Sequence, residues 1–179
     1  MSRFSQIIRR GAAAFSILGG VLLAVPANAQ PLTPLPNSPA SPQDTEKLFG
    51  LLSKGYSPDD CQPQDPVGNQ LAAIDRSLNL DSGGPVSASY ALYRDAGSLK
   101  SAFSSAIAQD KLAACPGINT SPGEWHYQGT PDQTAGSIAC GYVDTLSEVV
   151  WTNDTNIVLA STQSLDDVPR HFQWWLADG

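Results

Sequence analysis

Positive charge is scarce in this chain: ten Lys and Arg stand against seventeen Asp and Glu in 179 residues, a formal net charge of −7. Nucleic-acid binding relies on clustered bases that neutralise phosphates, and the scattered bases here argue against it. Chelating residues are equally sparse. The three cysteines and two histidines show none of the short paired spacings of zinc sites, so no metal and no cofactor are expected. Neither a kinase Gly-rich loop nor a catalytic Asp motif is present. Long apolar runs are missing too: the longest, Gly11 to Val25, falls short of the roughly 20 residues that span a bilayer, so the processed chain is not expected to cross a membrane.

That run has a different use. Arg3, Arg9 and Arg10 precede it and Ala27-Asn28-Ala29 follows it, the arrangement of a secretory signal peptide over residues 1–29 with cleavage before Gln30. The arginine pair allows either general secretory or twin-arginine export. Residues 1–29 hold three of the ten bases and none of the acids, so the exported chain keeps seven bases against seventeen acids, a charge of about −10. Residues 30–43, QPLTPLPNSPASPQ, carry five prolines and little apolar content, which predicts an extended, disordered spacer. Residues 44–179 have the length of one domain and no obvious internal repeat.

Periodicity outlines that domain. DTEKLFGLLSKG reads as a helix opened by Asp44, and a Pro- and Asp-rich loop with Cys61 follows. VSASYALY alternates as a half-buried strand. Asp95 caps a helix whose Leu99, Ala102, Phe103 and Ile107 share one side. SIACGYV, EVVWT and NIVLAST read as strands, the last two joined by a tight turn at Asn153-Asp154, and DDVPRHFQWWLA as a closing helix. On that helix Leu165, Val168, Phe172 and Leu176 form the predicted inner stripe, with Trp175 beside it and Trp174 on the far side. Strands clustered between helices predict a single α+β domain with a mostly antiparallel sheet packed by helices.

DSGGP (81–85) resembles the nucleophile loop of chymotrypsin-like proteases, but the chemistry is not supported. A triad needs an imidazole and a carboxylate in reach of the serine. Both histidines, His126 and His171, follow Ser82, against the chymotrypsin order, and the exported chain before Ser82 is too short for that fold's first barrel. Gly83-Gly84-Pro85 reads instead as a turn feeding the strand. Cys115 and Cys140 lie where an exported domain takes a staple, so a disulfide is predicted between them and Cys61 is left outside it.

Several segments together have a wider likeness: GYSPDDC (55–61), DSGGP, SYALYRDAGSLKSAF (89–103), CPG (115–117), SPGEWHY (121–127), ACG (139–141), VVWT (149–152) and FQWW (172–175). In this order and spacing the chain resembles a small exported domain of mycobacteria and related actinobacteria, found alone and as the extracytoplasmic part of some membrane Ser/Thr kinases. The resemblance implies an envelope-facing domain of unknown ligand without established catalysis. It also implies two disulfides, with a fourth cysteine where this chain has Arg76.

Trp125, His126 and Trp174 are the candidate contacts for an envelope ligand or protein partner. Each has a plainer account, the tryptophans as covered core and His126 as a packed strand residue. The expected function is a non-enzymatic ligand-binding or sensor module. The alternative is an envelope hydrolase with an unrecognised carboxylate or His site, such as His126 with Glu124 or Asp132, and a purely structural or inhibitory protein is the third reading.

Overall fold

The computed structural model describes residues 39–179 except 58, 60 and 119; the predicted leader, its cleavage point and the spacer as far as residue 38 lie outside the described residues. Helix α1 spans Pro42–Phe49 and starts two residues before the position read from sequence. Ser41 is its cap: the Oγ accepts from the Asp44 N–H at 3.1 Å, and a proline in the first turn loses no hydrogen bond because the first amides of a helix have no partner. Leu48 carries the helix into the core, and Gly50 ends it.

Strands β1 (Gln62–Gln64), β2 (Gln70–Arg76) and β3 (Ser87–Tyr93) form an antiparallel meander. Helix α2 (Ala96–Ala106) follows, capped by the Asp95 carboxylate, which accepts from Ser98 N at 2.8 Å; this bond and a second from the Ser98 hydroxyl hold the Asp95 carboxyl below the usual aspartate range. A 3-10 turn over Ile107–Gln109 leads into the short strand β4 (Lys111–Ala113), then β5 (Gly123–His126). Strands β6 (Thr134–Val143), β7 (Leu146–Asn153) and β8 (Val158–Ser164) make a second meander, and α3 (Val168–Asp178) closes the chain. The β7–β8 connection is longer than the expected tight turn: Asn153 pairs with Val158 across four residues, with Ile157 at φ 58°.

β3 lies against β8, so the two meanders fuse into one eight-stranded sheet in the order β1-β2-β3-β8-β7-β6-β4, with β5 also on β6. Every pairing is antiparallel. The architecture is the expected α+β domain with one disulfide, Cys115 to Cys140. Ala113 on β4 pairs with Cys140 on β6, so the bond ties the segment after the edge strand back onto a central one.

Alternation along the strands gives the sheet two faces. One carries Ala72, Ile74, Ala88, Tyr90, Leu92, Ile138, Val149, Trp151, Val158 and Ala160, covered by Leu48 of α1 and by α3. The other buries Ala139 and Val150 under Phe103 of α2. The predicted inner stripe of α3 is corrected: Val168, His171, Phe172, Trp174 and Trp175 face inward, while Leu165 and Leu176 are 79% and 63% exposed. Residues 168, 171, 172 and 175 also follow helical spacing, and two indoles remove more apolar area from water than two leucines, so burial chose that rotation.

Candidate functional site

The aromatic residues divide between core and surface. Trp174 is 7% exposed, with its ring edge-on to Tyr56 at 6.5 Å, so the loop after α1 covers it and it takes no part in a surface. Trp125 on β5 is half-buried. Its indole N–H donates to the Thr152 carbonyl at 2.7 Å, and its ring stands edge-on to Trp175 at 5.6 Å. Outward of it lies Tyr127, 51% exposed, at 4.8 Å between ring centroids and with a hydroxyl that accepts from Asn153 Nδ2 at 3.2 Å. Trp125 and Tyr127 thus form a solvent-facing aromatic pair backed by the core. This close approach needs Gly136: a Cβ there would run into the Thr152 carbonyl that holds the Trp125 indole.

His126 is exposed on β5. No hydrogen bond links it to Glu124 or Asp132 among the described residues; Glu124 accepts from the Thr134 hydroxyl instead, at 3.0 Å. The other histidine is the structured one. His171, 1% exposed, lies between Ser147 Oγ on Nδ1 and Thr162 Oγ1 on Nε2, each at 2.9 Å. Ser147 donates to the Ser164 carbonyl, so Nδ1–H donates to Ser147 and the Thr162 hydroxyl donates to Nε2. Burial disfavours the imidazolium and pushes the pKa down to about 4. This Ser-His-Thr chain holds α3 to β7 and β8; the carboxylate position of a triad is taken by a hydroxyl, and all three side chains are sealed from substrate.

No hydrogen bond links Ser82 to a histidine among the described residues, and both nitrogens of His171 are engaged by Ser147 and Thr162. DSGGP is a turn built around Asn79, which is buried. The Asn79 amide donates to the Lys54 carbonyl at 2.8 Å, its Oδ1 accepts from Asp81 N at 2.8 Å, and its own N–H donates to the Pro85 carbonyl at 2.9 Å. A Cβ at Gly55 or Gly84 would fall against the Asn79 side chain, so these two glycines serve one clasp between two loops.

Two further features lie outside the candidate contacts named from the sequence. Glu148 lies on the α2 face of β7, beyond the helix, and is 7% exposed. Gln163 Nε2 donates to its Oε1 at 3.2 Å, and the Asp110 carboxyl is hydrogen-bonded to it. Burial first and the neighbouring Asp110 second push the Glu148 pKa up to about 7; burial raises Asp110 as well. On the same face Asp75, Ser87, Ser89, Ser161 and Gln163 line a shallow open cleft. The signal for Glu148 was its place as the lone acid in an apolar strand, EVVWT. The second feature is Arg76, buried on β2 with its guanidinium 5.2 Å above the Tyr56 ring. Gln62 pairs with Asp75, so the register continued by one step sets Cys61 opposite Arg76; the Cys61 thiol donates to the Ser57 carbonyl at 3.2 Å.

Among the described residues no group of three or more His, Cys, Asp or Glu is placed to hold a metal ion, and no helix is long and apolar enough to cross a membrane. Set against known proteins, the chain matches no family model, no curated protein and no solved structure.

Proposed function

We propose that this chain is an exported, non-enzymatic binding module that meets an envelope ligand or protein partner through the Trp125–Tyr127 pair. The observation that carries this reading is the pairing of an exposed tyrosine with a half-buried tryptophan that is fixed by its own hydrogen bond and by Trp175. Rigid aromatic surface loses little side-chain entropy on contact, which is why such residues dominate binding hot spots. The disulfide supports export, since such bonds persist in oxidising spaces. The likeness to the actinobacterial extracytoplasmic domain supports an envelope-facing role.

The test is capture of a partner from detergent-solubilised envelope of the source organism on immobilised protein. Tyr127→Ala should keep the thermal midpoint within a few degrees and lose at least ten-fold of the captured species. Equal capture by both proteins would sink the reading.

An envelope hydrolase is the second reading, favoured by the hydrogen-bonded Glu148 and Asp110 carboxyls, both raised by burial and Glu148 to about 7. In a screen of ester, peptide and glycoside substrates this reading requires turnover that Glu148→Gln lowers by two orders of magnitude or more and Tyr127→Ala leaves intact.

A further inference from the structure

Glu148 is the residue the sheet accommodates least well. It projects from a central strand with almost no exposed surface. Its neighbours across the sheet are Gln163 from β8 and Gly141 from β6, with Leu112 from β4 beyond, Leu146 and Val150 flank it along β7, and Asp110 reaches it from the end of the 3-10 turn. Asp110 is the ionisable member of that set. Lys111, next in the chain, is exposed and alternates to the other side with Tyr142. The ion pairs among the described residues, Lys54 with Asp178 and Arg170 with Asp166, lie elsewhere.

Two carboxylates cannot hydrogen-bond to each other, because neither has a donor; the Asp110–Glu148 contact therefore contains one proton. What this contact secures is slight. The 3-10 turn is three residues long and contributes no fully buried side chain. Strand β4 has three register pairs to β6, and its outer edge is open. The segment is anchored on one side by Phe103 of α2 and on the other by the Cys115–Cys140 bond. Between those anchors, Ile107 and Ala113 pack half-buried against the core at the two ends of the strip, and Asp110 is its polar contact with the sheet.

We propose that the proton shared by Asp110 and Glu148 is a latch that holds residues 107–113 on the sheet, and that its loss releases this strip and uncovers the edge of β6 at Gly141–Tyr142, beyond Cys140, whose backbone is held by the Ser121 hydroxyl. Once both groups are ionised they repel, and the nearly inaccessible Glu148 carboxylate gains little screening from water. Retreat of Asp110 into solvent is the available relief, because Glu148 is fixed on a strand paired on both sides. With Glu148 titrating at about 7, the latch is closed in mildly acidic surroundings and open in mildly alkaline ones. The released backbone of β6 is then an unpaired strand edge, the element to which extended segments add. The inference stands apart from the Trp125–Tyr127 reading, which uses other residues.

Amide hydrogen exchange of the disulfide-intact chain at pH 5.5 and 8.5, corrected for the intrinsic pH dependence of exchange, tests the latch. Protection at residues 110–113 and at Tyr142 should fall at least ten-fold at the higher pH while β3 and β8 stay unchanged. Glu148→Gln should keep its protection at both pH values. Asp110→Asn, whose amide can donate to an ionised Glu148, should do so as well and serves if the first variant does not fold. Unchanged protection of the native strip, or equal loss in both variants, would overturn the proposal.

Discussion

His171 refuses a proton that the unfolded chain accepts. The imidazole has both nitrogens engaged by hydroxyls and no room for hydration, and its pKa is about 4 against an ordinary value of 6.5. Between those two values the unfolded state binds the extra proton. Stability from this residue is therefore full above pH 6.5 and is lost as the pH falls toward 4, by about 3 kcal/mol in all. Urea midpoints followed from pH 7 to pH 4 should show this slope, and His171→Gln, whose amide can still bridge two hydroxyls, should show a distinctly shallower one. Glu148 acts in the opposite sense: its raised pKa means that stability is present below about 4.5 and lost as the pH rises through about 7. At this scale the sequence was uneven as a guide. It pointed to His126, which lies exposed, and passed over His171, because only the neighbours brought by β7 and β8 distinguish the two.

At the scale of elements, the long strands and α2 were legible, since VSASYALY and the three later strands alternate or run apolar over seven residues or more in the structure. Strands β1, β2, β4 and β5 were not. Three of these are only three or four residues long, and β2 puts alanines where β-branched residues would have signalled a strand. Their pairing leads to two expectations. Gly136→Ala should cost at least 2 kcal/mol in chemical denaturation, because backbone rather than a movable side chain meets the new methyl group. Arg76→Cys should close a second disulfide with Cys61, seen as a loss of two mass units without added oxidant. The continued β1–β2 register sets the two positions opposite each other, within the roughly 4.4 to 6.8 Å between Cα atoms that a disulfide spans. Persistence of two thiols in that variant would show that the register does not continue beyond Gln62.

For the whole molecule, the Cys115–Cys140 bond is the constraint of greatest reach. Closing a loop across a separation of 25 residues removes unfolded-state entropy worth roughly 3 to 4 kcal/mol, a large part of the stability of a domain this size. Reduction with a strong dithiol should lower the thermal midpoint by ten degrees or more, and a shift under three degrees would mean that the sheet needs no staple.

The sequence by itself pointed to the α+β class, the longer strands, the cap of α2 and the pairing of Cys115 with Cys140, because each is encoded by neighbours along the chain, the pairing by the loop and strand in which those two cysteines stand. The tertiary structure decided which way α3 turns, that Trp174 is core, that Tyr127 completes a surface with Trp125, and that Asp110 meets Glu148 and Ser147 meets His171. These last contacts join residues 38 and 24 positions apart. Burial of apolar area sets which residues come together at such distances, and no pattern confined to one segment records the outcome.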